Sequence, residues 1–549
     1  MIDPNSELLK ERWRTYETRK NHTLEQLREV KRTYNQNELL RDDPRLKPIP
    51  VDKNEIASFT IGGVQYPFSS FEQNVYFDGA PGSGKTKLMN IMLIQALTVL
   101  KQVGGVVIAN DYKGDLYSKL KNYTSEQNIP FYYFNPTSLD SCIWDIAEDL
   151  GQDYYLAREL LSTLIPKNKD GFDFWRESAV ALAEGTTKVF MEKYPNKWGL
   201  HDVYNACLSQ KEEVLQFMQQ VQSNRYLLNN MLGNAATETI GGIQLTLFTA
   251  MQSVKLLANL QHHAYTTKKD KPKVVSLRRV LQQGGVLLFG QDNDKDYSAM
   301  PCIRAMFKFI GDYLVKKPNV PHTPDHFHTW IFWDELPNYG KLPRVIDLLN
   351  KGRDKKVSLF LVAQHFDQLK QIYDKSAEEF LQCSTVKFFL LSRNIENAKW
   401  KTEQALEAEM IRTSYTSTTT GSNRSFKAER IPQFRPEWFM GIPPFTVGVN
   451  LNGAMLTQFH GCVQFAYPNN VVMNYQIPDG KFQYIARPFC TPDFSPWNPN
   501  QTPLMGVKSL KDAFLSNQEG VSSHYQQLNT LIRTSIYAAF QEYLNVNLQ

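Results

Sequence analysis

Gly79, Ala80, Pro81, Gly82, Ser83, Gly84, Lys85 and Thr86 stand in the spacing G-x-x-x-x-G-K-[ST]. That spacing suits a phosphate chain. Its glycines let successive backbone N–H groups crowd round an anion, and a helix N-terminus behind them adds its dipole. Lys85 is placed to reach the β- and γ-phosphates of a nucleoside triphosphate, and the Thr86 hydroxyl to ligate magnesium. Much later in the chain, Trp330-Ile331-Phe332-Trp333 runs directly into Asp334 and Glu335. Triphosphate hydrolysis needs one carboxylate near the metal and a second to activate the attacking water. Asp334 fits the first role and Glu335 the second. Gln364 follows the apolar run Val357 to Ala363 and is placed to hydrogen-bond the γ-phosphate or the water. Before that run, Lys351-Gly352-Arg353-Asp354-Lys355-Lys356 offers Arg353 as a cation for the transition-state charge in a neighbouring subunit's site. The competing reading of that segment is an ordinary basic loop or a DNA contact.

Such residues need rigid elements to hold them. Val75 to Asp78 reads as a strand entering the glycine turn, and Lys87 to Leu100 as the helix leaving it. Further buried, parallel-type strands are read at 104–109, 130–134, 285–289, 329–333, 357–363 and 386–391. Between about 145 and 265 the strand signals vanish and apolar residues recur at helical spacing, as from Tyr154 to Leu164 and from Phe174 to Phe190. The expected fold class is therefore α/β: a P-loop domain with a mainly parallel sheet, interrupted by an all-α domain. The expected divisions are a polar helical arm over 1–50, nucleotide-binding segments over 51–144 and 271–500, the all-α domain over 145–270, and a helical tail over 501–549. Ser414 to Ser425 reads as a mobile Ser/Thr/Gly-rich loop. Phe445–Val449 with Ala454–Phe459 reads as an edge hairpin.

Composition narrows the class further. The 549 residues are 42% hydrophobic and carry a net charge of +5, a globular balance that does not by itself demand nucleic acid. Any DNA contact must come from local patches, and Lys268, Lys269, Lys271, Lys273, Arg278 and Arg279 form the candidate, against a solvated basic loop. Six cysteines lie far apart with no C-x-x-C pair and read as reduced packing residues. His322, His326 and His328 lack the Cys or acid framework of a structural metal site beyond Asp325. No apolar run approaches the roughly eighteen residues that span a bilayer.

Taken in order, the blocks resemble the type IV secretion coupling proteins, the ATPases of conjugative DNA transfer. They are Gly79 to Thr86, Asn110 to Tyr117, Asp334-Glu335-Leu336-Pro337-Asn338-Tyr339-Gly340-Lys341-Leu342-Pro343, Arg353 and Gln364. Phe174-Trp175 with Ala179, and Ala428 to Phe434, are similar too, so the resemblance covers roughly 60–500. Tyr112 and Asp115 depart from the family's usual Pro and Glu. The resemblance implies a RecA-like motor domain binding ATP and Mg2+, assembled as a homo-hexamer. Such a ring would couple ATP hydrolysis to delivery of single-stranded DNA and its bound relaxase to a secretion channel. The implied place is cytoplasmic, at the inner face of a bacterial membrane. Family members usually begin with transmembrane helices, so attachment here is expected through an anchor missing from this sequence or through a partner. Two rival readings are an FtsK-like or packaging-type motor on duplex DNA, and a substrate-docking adaptor whose nucleotide site is only structural.

Overall fold

Runs of β-branched and aromatic residues without polar alternation need cover on both faces, and this chain places them in the middle of one sheet. The computed structural model describes residues 58–451, apart from 62–63, 68–71, 115, 166–172, 210, 230–236, 267–272, 292–295, 321–326, 405–406, 419–420, 433–434 and 442–447. A short antiparallel pair, β1 (Ser58–Ile61) and β2 (Val64–Pro67), comes first. Then β3 (Asn74–Asp78), β4 (Gly105–Asp111) and β5 (Phe131–Phe134) alternate with helices α1 (Lys85–Val103) and α2 (Leu116–Glu126). After β6 (Ile143–Trp144) the chain is helical: α3 (Ile146–Leu150), α4 (Tyr154–Leu164), α5 (Phe174–Lys193), α6 (Leu200–Cys207), α7 (Lys211–Met218) and α8 (Thr237–Thr266).

The α/β rhythm resumes with β7 (Val274–Val275), α9 (Leu277–Gln283), β8 (Gly285–Gly290), α10 (Asp296–Lys316) and β9 (His328–Trp333). It continues through α11 (Val345–Lys351), β10 (Val357–Ala363), α12 (Phe366–Tyr373), α13 (Glu378–Gln382), β11 (Ser384–Phe389) and α14 (Ile395–Gln404). A long hairpin, β12 (Glu407–Thr418) and β13 (Gly421–Pro432), precedes α15 (Pro436–Gly441) and β14 (Gly448–Leu451).

Eight strands form the central sheet in the order β14-β11-β3-β10-β9-β4-β8-β5. All neighbours are parallel except β14, which runs antiparallel to β11 at the edge. Strand pleating sends Val75 and Phe77 to the face covered by α1 and α2, and Tyr76 to the opposite face. That opposite face carries α10, α11 and α12, and its core runs on without a break into helices α4 to α8. Where the helical segment leaves and rejoins the sheet domain, β6 and β7 pair in parallel, tying its two ends together.

Two expectations from the sequence change. Residues Ser414 to Ser425 lie mostly in β12 and β13, paired from Glu407↔Pro432 to Thr418↔Gly421. Thr and Tyr there are strand formers, which a low-complexity reading overlooks. The edge strand β14 extends past the expected end at Val449 to Leu451, and it pairs with β11 in the register Val386↔Leu451. Its expected hairpin partner, Ala454–Phe459, lies outside the described residues, as do the arm over 1–50 and the tail over 501–549.

Candidate active site

In a parallel sheet every strand ends on the same edge, so groups far apart in sequence gather there. β3, β10, β9 and β4 lie side by side and end at Asp78, Ala363, Trp333 and Asp111. The glycine loop leaves β3, the acid pair leaves β9, and Gln364 leaves the strand between them. The consequence is direct contact: the Thr86 hydroxyl donates to Asp334 Oδ2 at 2.8 Å across 248 positions. Gln364 Nε2 donates to Glu335 Oε2 at 3.1 Å. Lys85, Thr86, Asp334, Glu335 and Gln364 therefore share one site.

The loop has the shape the spacing implies. Gly82 and Gly84 take φ of 76° and 103°, the left-handed region that side chains resist. At Gly79 a Cβ would meet Leu390 Cβ and Ser83 Oγ, each at 2.7 Å, so this position too needs glycine. Lys85 Nζ donates to the carbonyls of Gly79 at 2.5 Å and Ala80 at 3.2 Å. Burial pulls the Lys85 ammonium below its usual range, opposed by Glu335, Asp334 and Asp78. Burial likewise pushes the Asp334 carboxyl up, and the Thr86 hydrogen bond works against it. Ser83 Oγ is buried with no hydrogen-bond partner, a donor enclosed by the loop with nothing yet to give to. This donor set fits a phosphate chain with its cation: backbone N–H groups, an ammonium and a hydroxyl on one side, a hydroxyl and a carboxylate for the metal. Among the described residues no group of three or more His, Cys, Asp or Glu is gathered as a metal cage.

Further positioning devices had no role assigned in the motif reading. Asn110, at the end of β4, grips the backbone at the start of the acid pair: its Nδ2 donates to Asp334 O at 2.8 Å, and its Oδ1 accepts from Asp334 N at 2.6 Å. Lys113 Nζ stands 3.4 Å from Thr86 Oγ1. The loop after Glu335 is clamped as well, with Arg304 Nε donating to Tyr339 O at 2.8 Å and Leu342 N to the Tyr373 hydroxyl at 3.0 Å. Asn110 opens the block Asn110 to Tyr117, but that block gave no sign that its amide would hold the acid pair. Nothing in local spacing marked Arg304.

Arg353 is not brought to this site. It is exposed and precedes β10, while Gln364 follows it. Seven strand residues at about 3.3 Å each separate the two by roughly 23 Å. The basic candidates near 273–279 are also placed differently from a free DNA-contacting patch. Lys273 Nζ donates to Phe131 O at 2.7 Å and lies over the Tyr132 ring, Arg278 Nη2 donates to Asp149 O at 2.6 Å, and Arg279 pairs with Glu148. These cations stitch the helical segment to the sheet domain. Lys268, Lys269 and Lys271 lie outside the described residues. So do His322, Asp325 and His326, whereas His328 is buried against Ser358 Oγ and Trp330. Among the described residues no helix is long and apolar enough to cross a membrane.

Residues 58–451 match the sequence family described as the type IV secretion-system coupling protein DNA-binding domain. The chain is 24% identical over 363 residues to the coupling protein TraD of Escherichia coli (strain K12). That similarity covers 64% of this chain and 46% of the relative, so the chain spans about half the length of the curated protein it matches. Among solved structures, the fold is similar to the bacterial conjugative coupling protein TrwBdeltaN70 in its unbound monoclinic form. The TM-score is 0.57 at 19% identity, covering 73% of this chain and 87% of that one. The plasmid coupling protein TrwB in complex with ADP and Mg2+ is similar too, with a TM-score of 0.55 at 18% identity, covering 75% and 89%. At these identities the structural likeness concerns the fold, a P-loop α/β domain of the RecA-like kind.

Proposed function

The chain belongs to the type IV secretion-system coupling protein family, and from that premise we propose that it is an ATP-hydrolysing motor for conjugative transfer. It would drive single-stranded DNA, with the relaxase attached to it, into a type IV secretion channel as a homo-hexameric ring at the inner face of the membrane. The observation that carries the reading is the 2.8 Å contact between Thr86 and Asp334, with Gln364 on Glu335 beside it. A nucleotide loop and an acid pair held this close suit a triphosphate gripped for cleavage. The TrwB structures holding ADP with Mg2+ and an ATP analogue support ATP and Mg2+ as the ligands.

Mg2+, when bound, would neutralise charge on the phosphates. The bond broken is the anhydride between the β- and γ-phosphates, the bond formed is from the water oxygen to the γ-phosphorus, and ADP is the leaving group. Thr86 and Asp334 would hold the cation. Lys85 and the N–H groups of Gly82, Gly84 and Lys85 would grip the phosphates and stabilise the charge that develops as the bond breaks. Glu335 Oε2 would take the proton of the attacking water. Gln364, already on that carboxylate, would hold Glu335 in place and respond when the γ-phosphate leaves. Arg353 would act in the neighbouring subunit's site, a role compatible with its distance from its own chain's site.

The test is a pair of substitutions. Lys85→Ala abolishes ATP binding and turnover, whereas Glu335→Gln keeps ATP affinity and lowers kcat by about 100-fold or more. Unchanged turnover in Glu335→Gln removes the general-base assignment. Stimulation of turnover by duplex rather than single-stranded DNA would redirect the motor to duplex substrates.

A further inference from the structure

We propose that Arg393 is a further phosphate-binding residue of this site, supplied by the same chain and aimed by a buried ion pair beneath the glycine loop. The inference rests on the nucleotide-site reading above and extends it to a residue outside every motif in that reading.

The position follows from how the end of β11 is joined to the loop. Leu390 N donates to Asp78 O at 2.8 Å and Ala80 N donates to Leu391 O at 2.8 Å, so residues 390–391 continue the sheet pairing alongside the first residues of the loop. The fit is close enough that only glycine is tolerated at Gly79, against Leu390. Two residues on, the chain turns into α14, and Arg393 projects over the loop. Its Nη2 is the nearest atom to a Cβ built on Gly82, at 4.0 Å. The guanidinium thus stands beside Gly82 in the loop proposed to hold the phosphates, and the residue is exposed.

The mounting beneath it is rigid. Asp78, the last residue of β3, and Lys401 of α14 form a fully buried ion pair at 2.9 Å, both side chains 0% exposed. Lys401 Nζ also donates to Leu390 O at 2.7 Å. Asn397 Nδ2 donates to Asp78 Oδ1 at 2.9 Å and to Ser392 Oγ at 3.3 Å. Tyr76 donates from its hydroxyl to the other Asp78 oxygen at 3.3 Å. One carboxylate therefore fixes the root of the nucleotide loop, the start of α14 and the segment that presents Arg393. Burying a charge pair costs desolvation unless its hydrogen bonds are complete, and here they run to every element that meets at the loop. Their geometric effect is to hold a guanidinium, which binds phosphate oxygens in a planar fork, at a set height above Gly82. Asp78, Asn397 and Lys401 act through Arg393 and the loop, as positioning residues.

The experiment measures Kd for ATP, ADP and AMP with the intact chain, Arg393→Ala, Arg393→Lys and Lys85→Ala. A charge-assisted hydrogen bond to phosphate corresponds to about tenfold or more in affinity. Arg393→Ala is expected to weaken ATP by about that factor and AMP little, Arg393→Lys to recover part of it, and the melting temperature to stay unchanged because the side chain is exposed. Equal loss for all three nucleotides would place the guanidinium on the α-phosphate, sugar or base that they share and overturn its assignment to the terminal phosphates. Wild-type affinities in Arg393→Ala, with Lys85→Ala still defective, would overturn the proposal alone. Wild-type ATP affinity in Lys85→Ala would overturn the nucleotide-site reading itself.

Discussion

Glu335 adopts φ 49° and ψ 48°, a left-handed conformation that costs a residue with a side chain about 1–3 kcal/mol. The neighbouring contacts hold it there: Glu335 N donates to Asp334 Oδ1 at 3.1 Å, Gln364 binds its carboxylate, and Asn110 fixes the residue before it. Strain of this kind settles where a carboxylate must face a set direction, and it turns the second acid toward Gln364. A different residue governs response to acid. His328 is 1% exposed, and burial, reinforced by Lys356 and Lys317, depresses its imidazole to about 3. A folded value below the unfolded 6.5 means the unfolded chain binds the extra proton. Stability is therefore full above pH 6.5 and declines as pH falls from there toward 3. At pH 5 the loss from His328 is on the order of 2 kcal/mol. Asp149, whose carboxyl burial raises to about 6, contributes with opposite sign over part of that range, so the comparison with His328→Gln isolates the histidine. Melting temperature from pH 7 to pH 5 should fall less steeply in that variant. An identical slope would place the acid sensitivity elsewhere.

At the scale of elements, the site depends on strand ends that meet and on a neck that holds the helical segment in place. Asp149 in α3 is the hub of that neck. Its carboxylate accepts from Trp144 Nε1 at 2.7 Å, Ser276 Oγ at 2.6 Å, Leu277 N at 2.8 Å and Arg278 N at 3.1 Å. It thereby caps the start of α9 and ties both β6 and β7 to α3. Asp149→Ala would leave those donors unanswered in a buried setting, at a cost on the order of 3 kcal/mol or more. The expected result is a clear drop in thermal midpoint with ATP affinity at the glycine loop retained, because α1 packs on the opposite face of the sheet from this neck and β3 is an interior strand. A midpoint within a degree of the parent would mean that the neck is held by its other contacts alone. The helical periods and buried strands were legible before any coordinates, because 3.6-residue and unbroken apolar patterns are local properties. The hub was not. An aspartate late in a short helix looks like an ordinary helix acid until the partner strand and helix arrive from more than a hundred residues away.

For the whole molecule, one chain holds the loop, the acid pair and the glutamine together but leaves Arg353 at the far end of β10. If that arginine serves the adjacent subunit, mixing Lys85→Ala with Arg353→Ala, each inactive alone, should restore activity. In a randomly mixed ring about a quarter of the interfaces would combine an intact loop with an intact arginine. No recovery on mixing, with both variants folded and assembled, would remove Arg353 from the catalytic cycle. Read alone, the amino-acid sequence determined the phosphate loop, the acid pair, the glutamine and the alternation of strand and helix. Each of these is written in neighbouring residues and in their period. Only the tertiary structure decided that Arg353 stands far from its own chain's site and that Lys273, Arg278 and Arg279 serve the neck. Only it showed Asp78, Lys401 and Arg393 meeting around the loop. Those outcomes follow from strand order and from ion pairs between segments hundreds of residues apart, and no local spacing encodes which distant charge a buried carboxylate will meet.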